Sequence, residues 1–289
     1  MAFSRRTLTT LVAAVAATAL SAPVTAAPTQ HMGKAGDPER KLTVVSFNIH
    51  HGADRFDVLD LERIARDIDS FDADVIALQE VDNHWGERSE FVDQSAWLAN
   101  RLGLHYCYAA NLDEDPAGGR TERRQYGTAI LSRYKLSDCE NHMLPNHQGG
   151  EQRGVAEATV KVRGVPVTVM NTHLTHVDAE YRTKQFAVVN DLVAAQSNPT
   201  VVLGDLNAAP GSTEHEEYTR ILTDVWPLVG EGDGLTYAPG NPLRRIDYVL
   251  ASKEITPLRA TVPLVYSSDH YPVVAELQLP HPREVHRGR

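Results

Sequence analysis

The sequence predicts a single α/β domain in which two β-sheets pack face to face with helices on their outer faces. Three observations carry this expectation. Short β-branched and apolar runs recur along the chain, with the length and composition of buried strands. A few segments with helical spacing stand between them. No repeat, low-complexity tract or linker divides the chain beyond its leader. Its 289 residues, with 42% hydrophobic content, suffice for one substantial core.

The elements follow in order. Residues 1–27 read as an export signal: Arg5-Arg6, an apolar stretch from Leu8 to Leu20, then small residues ending at Ala26-Ala27. The apolar stretch is short and Ala-rich, so no stable membrane span is expected. The paired arginines leave the general secretory and twin-arginine routes both open. Residues 28–41 are expected to form a polar, flexible leader, 42–280 a single folded domain and 281–289 a polar tail.

Within the domain, Leu42 to Asn48 is a buried strand, and Leu59 to Ile68 a helix with Leu61, Ile64, Ala65 and Ile68 on one face. Asp74–Glu80 is the next strand and Gln94–Leu102 the next helix. Strands are expected at Tyr106–Ala110, Gly127–Ser132, Ala156–Val162, Val165–Asn171, Thr200–Leu203, Asp247–Ala251 and Val273–Leu277. A long helix spans Ala179 to Gln196. Asn111 to Gln125 and Met143 to Arg153 read as long polar loops. The two cysteines, Cys107 and Cys139, sit in or near strand-like stretches and either pair or remain thiols.

The formal net charge is −10, and removal of Arg5 and Arg6 with the leader makes it more negative still. An acidic surface repels phosphate backbones and excludes generic nucleic-acid binding through a basic face.

The informative pattern is that apolar strands end in polar, ligand-type residues. Asn48 closes the first strand and Glu80 the second. Asn171 and His173 close a later one, Asp205 and Asn207 another. Asp247 opens a strand, and Asp269-His270 precedes the last. Singly, each has an ordinary reading: Glu80 as a helix cap, Asn48 as a turn residue, Asp205 and Asn207 as an Asx turn, His173 as a core histidine, Asp247 as the partner of Arg244 or Arg245. Together they are hard oxygen donors with two histidines, the composition of a divalent-cation phosphoester site.

The ordered segments Phe47-Asn48-Ile49-His50-His51-Gly52, Leu78-Gln79-Glu80, Tyr126 to Ser132, Asn171-Thr172-His173-Leu174, Gly204-Asp205-Leu206-Asn207, Arg245-Ile246-Asp247-Tyr248 and Ser268-Asp269-His270 resemble the signature of the endonuclease/exonuclease/phosphatase superfamily. The resemblance implies a four-layer α/β sandwich with two mixed sheets and a site at one rim. It implies Glu80 as main ligand of Mg²⁺, or of Mn²⁺ or Ca²⁺, with Asn48 and Asp269 as further ligands. Asp205 would activate water, with Asn207 orienting it. Asp247 would support His270, and His173 would contact phosphate. Tyr126, Arg124, Arg153 and Asn171 are the expected substrate-binding residues, the arginines as local cations.

The expected activity is that of a secreted phosphodiesterase on small or lipid-derived phosphoesters. The segment Thr172 to Asp178 is similar to part of the sphingomyelinase-like members. The alternative is an extracellular nuclease, with nucleic acid as substrate only. A non-catalytic phospho-ligand binder would show gaps among these motifs, and there are none. A monomer is expected.

Overall fold

The computed structural model describes residues 40–238, 240 and 242–282. The export signal, nearly all of the flexible leader and the end of the polar tail lie outside the described residues.

Twelve strands form two sheets of six. The first holds β1 (Lys41–Asn48), β2 (Val75–Asn83), β3 (His105–Glu114), β4 (Arg124–Ser132), β11 (Thr256–Thr261) and β12 (Val273–Gln278), in the order β11-β12-β1-β2-β4-β3. The second holds β5 (Leu136–Met143), β6 (Gly154–Val162), β7 (Val165–His173), β8 (Thr200–Asp205), β9 (Thr223–Asp224) and β10 (Asp247–Ala251), in the order β5-β6-β7-β8-β10-β9. Both are mixed: β1 runs parallel to β2 and β7 parallel to β8, while the other neighbours are antiparallel.

Alternation along the central strands builds the layers. On β1, Leu42 and Val44 face the second sheet, and Val45 and Phe47 face the helices. On β7 and β8, Val167, Val169, Val201 and Leu203 enter the inter-sheet core, whereas Met170 and Val202 turn outward. Helices α1 (Leu61–Ser70) and α2 (Gln94–Leu102) cover the first sheet through Ile64, Ile68 and Leu98. Helices α3 (Ala179–Ala195) and α4 (Thr213–Tyr218) cover the second through Phe186, Val189 and Tyr218. The result is the four-layer α/β sandwich. A short α5 (Trp226–Val229) closes one side of it.

Asp60, Asp93, Asp178 and Ser212 each accept a backbone N–H at a helix start, which satisfies donors the helix itself leaves over. Asn171 on β7 ties the sheets together. Its Nδ2 donates to the Leu78 and Ala129 carbonyls at 2.8 Å each, and its Oδ1 accepts from Gln79 Nε2 at 2.7 Å. Cys107 on β3 and Cys139 on β5 form a disulfide, so the open cysteine question resolves to a covalent link between the two sheets.

One expectation is corrected. The loop expected over Asn111–Gln125 is shorter at both ends, because β3 runs to Glu114 and β4 starts at Arg124. The edge strands β5, β9 and β11 and the short helices α4 and α5 were not anticipated. The described residues hold no helix long and apolar enough to cross a membrane.

Candidate active site

Register brings the polar strand ends together. β8 lies between β7 and β10, and Asp205 stands opposite His173 on one side and Asp247 on the other. Gly204 makes that approach possible, since a Cβ there would lie 2.1 Å from the Thr172 carbonyl oxygen. On the facing sheet, β1 pairing sets Asn48 opposite Gln79. The β2–β4 register then slips between Leu78 and Val81, a β-bulge with one extra residue in β2. Glu80 occupies that bulge with φ of 57°, a left-handed backbone uncommon for a residue with a side chain. The bulge turns its carboxylate to the rim.

His270 arrives from the turn before β12. Ser268 Oγ donates to the Asn48 carbonyl at 2.7 Å and accepts the His270 N–H at 3.2 Å, which moors the turn to the end of β1. The ring of Tyr237 packs 4.8 Å from the imidazole.

Two side chains link the carboxylates. Asn48 Nδ2 donates to Glu80 Oε1 at 3.0 Å and to Asp205 Oδ2 at 3.1 Å. Its Oδ1 accepts the His50 N–H at 3.0 Å. The carboxamide therefore presents nitrogen to the carboxylates and spaces them. His270 Nδ1 donates to Asp247 Oδ2 at 2.9 Å, while its Nε2 lies 3.7 Å from Asp205 Oδ2 and 4.0 Å from Asp269 Oδ1. Asn207, with φ of 52°, donates its backbone N–H to Asp205 Oδ1 at 3.0 Å and its Nδ2 to the Leu174 carbonyl at 3.0 Å. The same Nδ2 is 3.1 Å from His173 Nε2.

Burial and charge set the protonation states. Burial alone would lower the His270 pKa, but the charge and hydrogen bond of Asp247, then Asp205 and Asp269, outweigh it and hold it up to about 10. The imidazole is cationic. Burial raises the Asp205 carboxyl, and Asp247 adds to the rise against the pull of His270 and Asn48. His173 is held neutral by burial, then by the Arg153 and His270 charges. Burial and then the charge of Glu80 keep the Tyr126 phenol protonated.

The donor set fits a hard divalent cation. Glu80, Asp205, Asp247 and Asp269 gather within one chain of contacts, and their ion-pair partners among the described residues are histidines alone, Glu80 having none. So many carboxylates without Lys or Arg partners favour an added cation, and oxygen donors select Mg²⁺, Mn²⁺ or Ca²⁺. Asp205, Asp247 and His270 also bring ligand atoms within 4.8 Å of one another. Glu80, joined to Asp205 through Asn48 Nδ2, adds a further carboxylate at that rim.

The remaining predicted residues divide. Tyr126 is buried beside Glu80. Arg153 is 3% exposed and paired with Glu151 at 3.0 Å. Arg124 donates to Glu114, its cross-strand neighbour, and to the Asp115 carbonyl. Asn171 is fully buried with its amide committed to the sheet tie. Tyr237 went unnoticed, since a lone tyrosine in a Gly-rich loop carries no periodic signal. Two grooves flanking Arg259 contain none of the site residues.

The profile of the Endonuclease/Exonuclease/phosphatase family matches residues 45–270. Among curated proteins, the chain is 26% identical over 183 residues to protein cwh43 of Schizosaccharomyces pombe, a match covering 63% of this chain but only 18% of that protein's length. Among solved structures, an endonuclease/exonuclease/phosphatase from Beutenbergia cavernae superposes with a TM-score of 0.69 at 26% identity, over 84% of this chain and 72% of that one. The mannosyl-6-phosphatase of Bacteroides thetaiotaomicron shares the fold, with a TM-score of 0.66 at 18% identity over 82% of this chain and 99% of that one.

Proposed function

The chain belongs to the endonuclease/exonuclease/phosphatase family, a group of metal-dependent phosphoester hydrolases, and on that premise we propose a secreted phosphodiesterase acting on small or lipid-derived phosphoesters. Charge is the observation that carries the diester reading. Four carboxylates line the site, and Arg153, the nearest arginine acting on His173, is already paired with Glu151. A diester brings one negative charge to that field, and a monoester brings nearly two. The disulfide between the sheets supports export, because such bonds persist in oxidising compartments.

Glu80, with Asp269 as a further ligand, would hold the cation, which would supply polarisation of the phosphate and stabilisation of the departing oxygen. Asp205 takes the proton of the attacking water. The Asn207 N–H on Oδ1 fixes its orientation. The water oxygen bonds to phosphorus as the bond to the alkoxide breaks in line, and the alkoxide leaves protonated by solvent. His270, held cationic and oriented by Asp247, offers its Nε2–H to a nonbridging oxygen.

A panel of bis-(p-nitrophenyl) phosphate, glycerophosphodiesters, sphingomyelin, plasmid DNA, RNA and phosphomonoesters tests the reading. Turnover of small or lipid-derived diesters above the rest is expected. Robust DNA nicking without small-diester turnover would replace it with an extracellular nuclease.

A further inference from the structure

Immediately after β1 the chain makes a one-turn 3₁₀ helix at His50–Gly52, and a tight loop follows to Leu59. Three non-glycine residues there have left-handed backbones: His50 and His51 at φ 45° and Asp57 at φ 59°. Each such residue costs about 1–2 kcal/mol. The fold maintains them deliberately. Gln94 Nε2 donates to the His51 carbonyl at 2.6 Å, and Asp54 Oδ1 accepts the N–H groups of Phe56 and Val58 at 2.8 and 3.2 Å. Gly52, at φ 82°, has no room for a Cβ against Gln94.

These three strained residues are the ones whose side chains converge. One nitrogen from each histidine and one Asp57 oxygen lie within 4.8 Å of one another. His50 Nδ1 lies 3.2 Å from the Asp54 carbonyl oxygen, to which it donates. That bond places the ring proton on Nδ1 and leaves the Nε2 lone pair, 3.7 Å from Asp57 Oδ1, available to a metal. Metal-bound histidines commonly have their second nitrogen fixed in this way. The His51 ring lies 4.4 Å from that of His50 and makes no hydrogen bond among the described residues. Arg88, on the neighbouring turn, is held bidentate by Asp82 at 2.9 and 2.7 Å, so its charge is compensated.

We propose that His50, His51 and Asp57 bind a borderline divalent transition ion such as zinc, at a site distinct from the hard-cation carboxylates around Glu80. Two imidazole nitrogens and one carboxylate favour Zn²⁺, Co²⁺ or Ni²⁺ over Mg²⁺ or Ca²⁺, and three protein ligands leave a fourth position for water. Ligands about 2 Å from a tetrahedral ion stand roughly 3.3 Å apart. Asp57, 80% exposed at its side chain, can swing in to close the difference. Occupancy would pin the turn whose His50 N–H holds Asn48 Oδ1.

The test uses chelator-stripped full-length protein titrated with Co²⁺, read by visible ligand-field absorption and equilibrium dialysis. With Mg²⁺ in excess to occupy the carboxylates around Glu80, wild type and Glu80→Gln should each bind one Co²⁺ with the intense bands of a nitrogen-ligated four-coordinate ion. Excess Mg²⁺ should leave those bands and Zn²⁺ should bleach them. Asp57→Asn, a surface change, and His51→Gln, with folding checked by circular dichroism, should weaken binding at least tenfold. Absence of the bands in Glu80→Gln, or equal affinity in Asp57→Asn and wild type, overturns the proposal.

Discussion

His270 Nδ1 and Asp247 Oδ2 lie 2.9 Å apart, both residues buried, with the imidazole approaching from the first sheet and the carboxylate from the second. The pair joins the two halves of the sandwich at its rim. Asp247→Asn removes the charge and keeps the shape. With the imidazolium no longer supported, turnover of bis-(p-nitrophenyl) phosphate should fall about 10²–10⁴-fold, as should that of His270→Ala, with far-ultraviolet circular dichroism unchanged. Rates within threefold of wild type in either variant would remove that residue from the chemistry.

Chelation should abolish this turnover, and added Mg²⁺ or Mn²⁺ should restore it. Glu80→Gln should lose most activity and need more added ion for what remains. Full activity in excess chelator sinks the metal role.

The His270 pKa carries a stability signature. Its folded value, about 10, lies above the ordinary 6.5, so the folded state holds the proton more tightly. That contribution is complete below pH 6.5 and vanishes as the pH climbs through 10. In chelator, the melting temperature of wild type should exceed that of His270→Gln by a margin that shrinks by several degrees from pH 7 to 10. A margin constant across that range would mean that the imidazole is not held cationic.

Reduction of Cys107–Cys139, at a sequence separation of 32, should destabilise the fold by about 3–4 kcal/mol on loop-closure entropy. Chemical denaturation with and without reductant measures it. Identical midpoints would show that the bond constrains nothing.

The central strands were legible because each carries an apolar run that stops at a polar residue, as at Phe47-Asn48 and Leu203-Gly204-Asp205. Edge strands were not. β5 is mostly exposed and polar, and β11 contains Pro257 and a register slip beside it, so neither shows alternation. Arg124 looked like a cation in a polar loop, yet pairing across β3–β4 sets it opposite Glu114, and the two charges satisfy each other. The turn of the Asn48 amide depends on a His50 N–H placed by left-handed backbone, which residue spacing does not encode.

The Asn171 amide has a consequence for how such an enzyme can change. Because it rivets the Gln79 side chain and the Leu78 and Ala129 carbonyls across the interior, slippage of one half past the other is blocked just behind Glu80. Surface loops are then at liberty to drift and acquire new cargo while the reacting centre keeps its alignment.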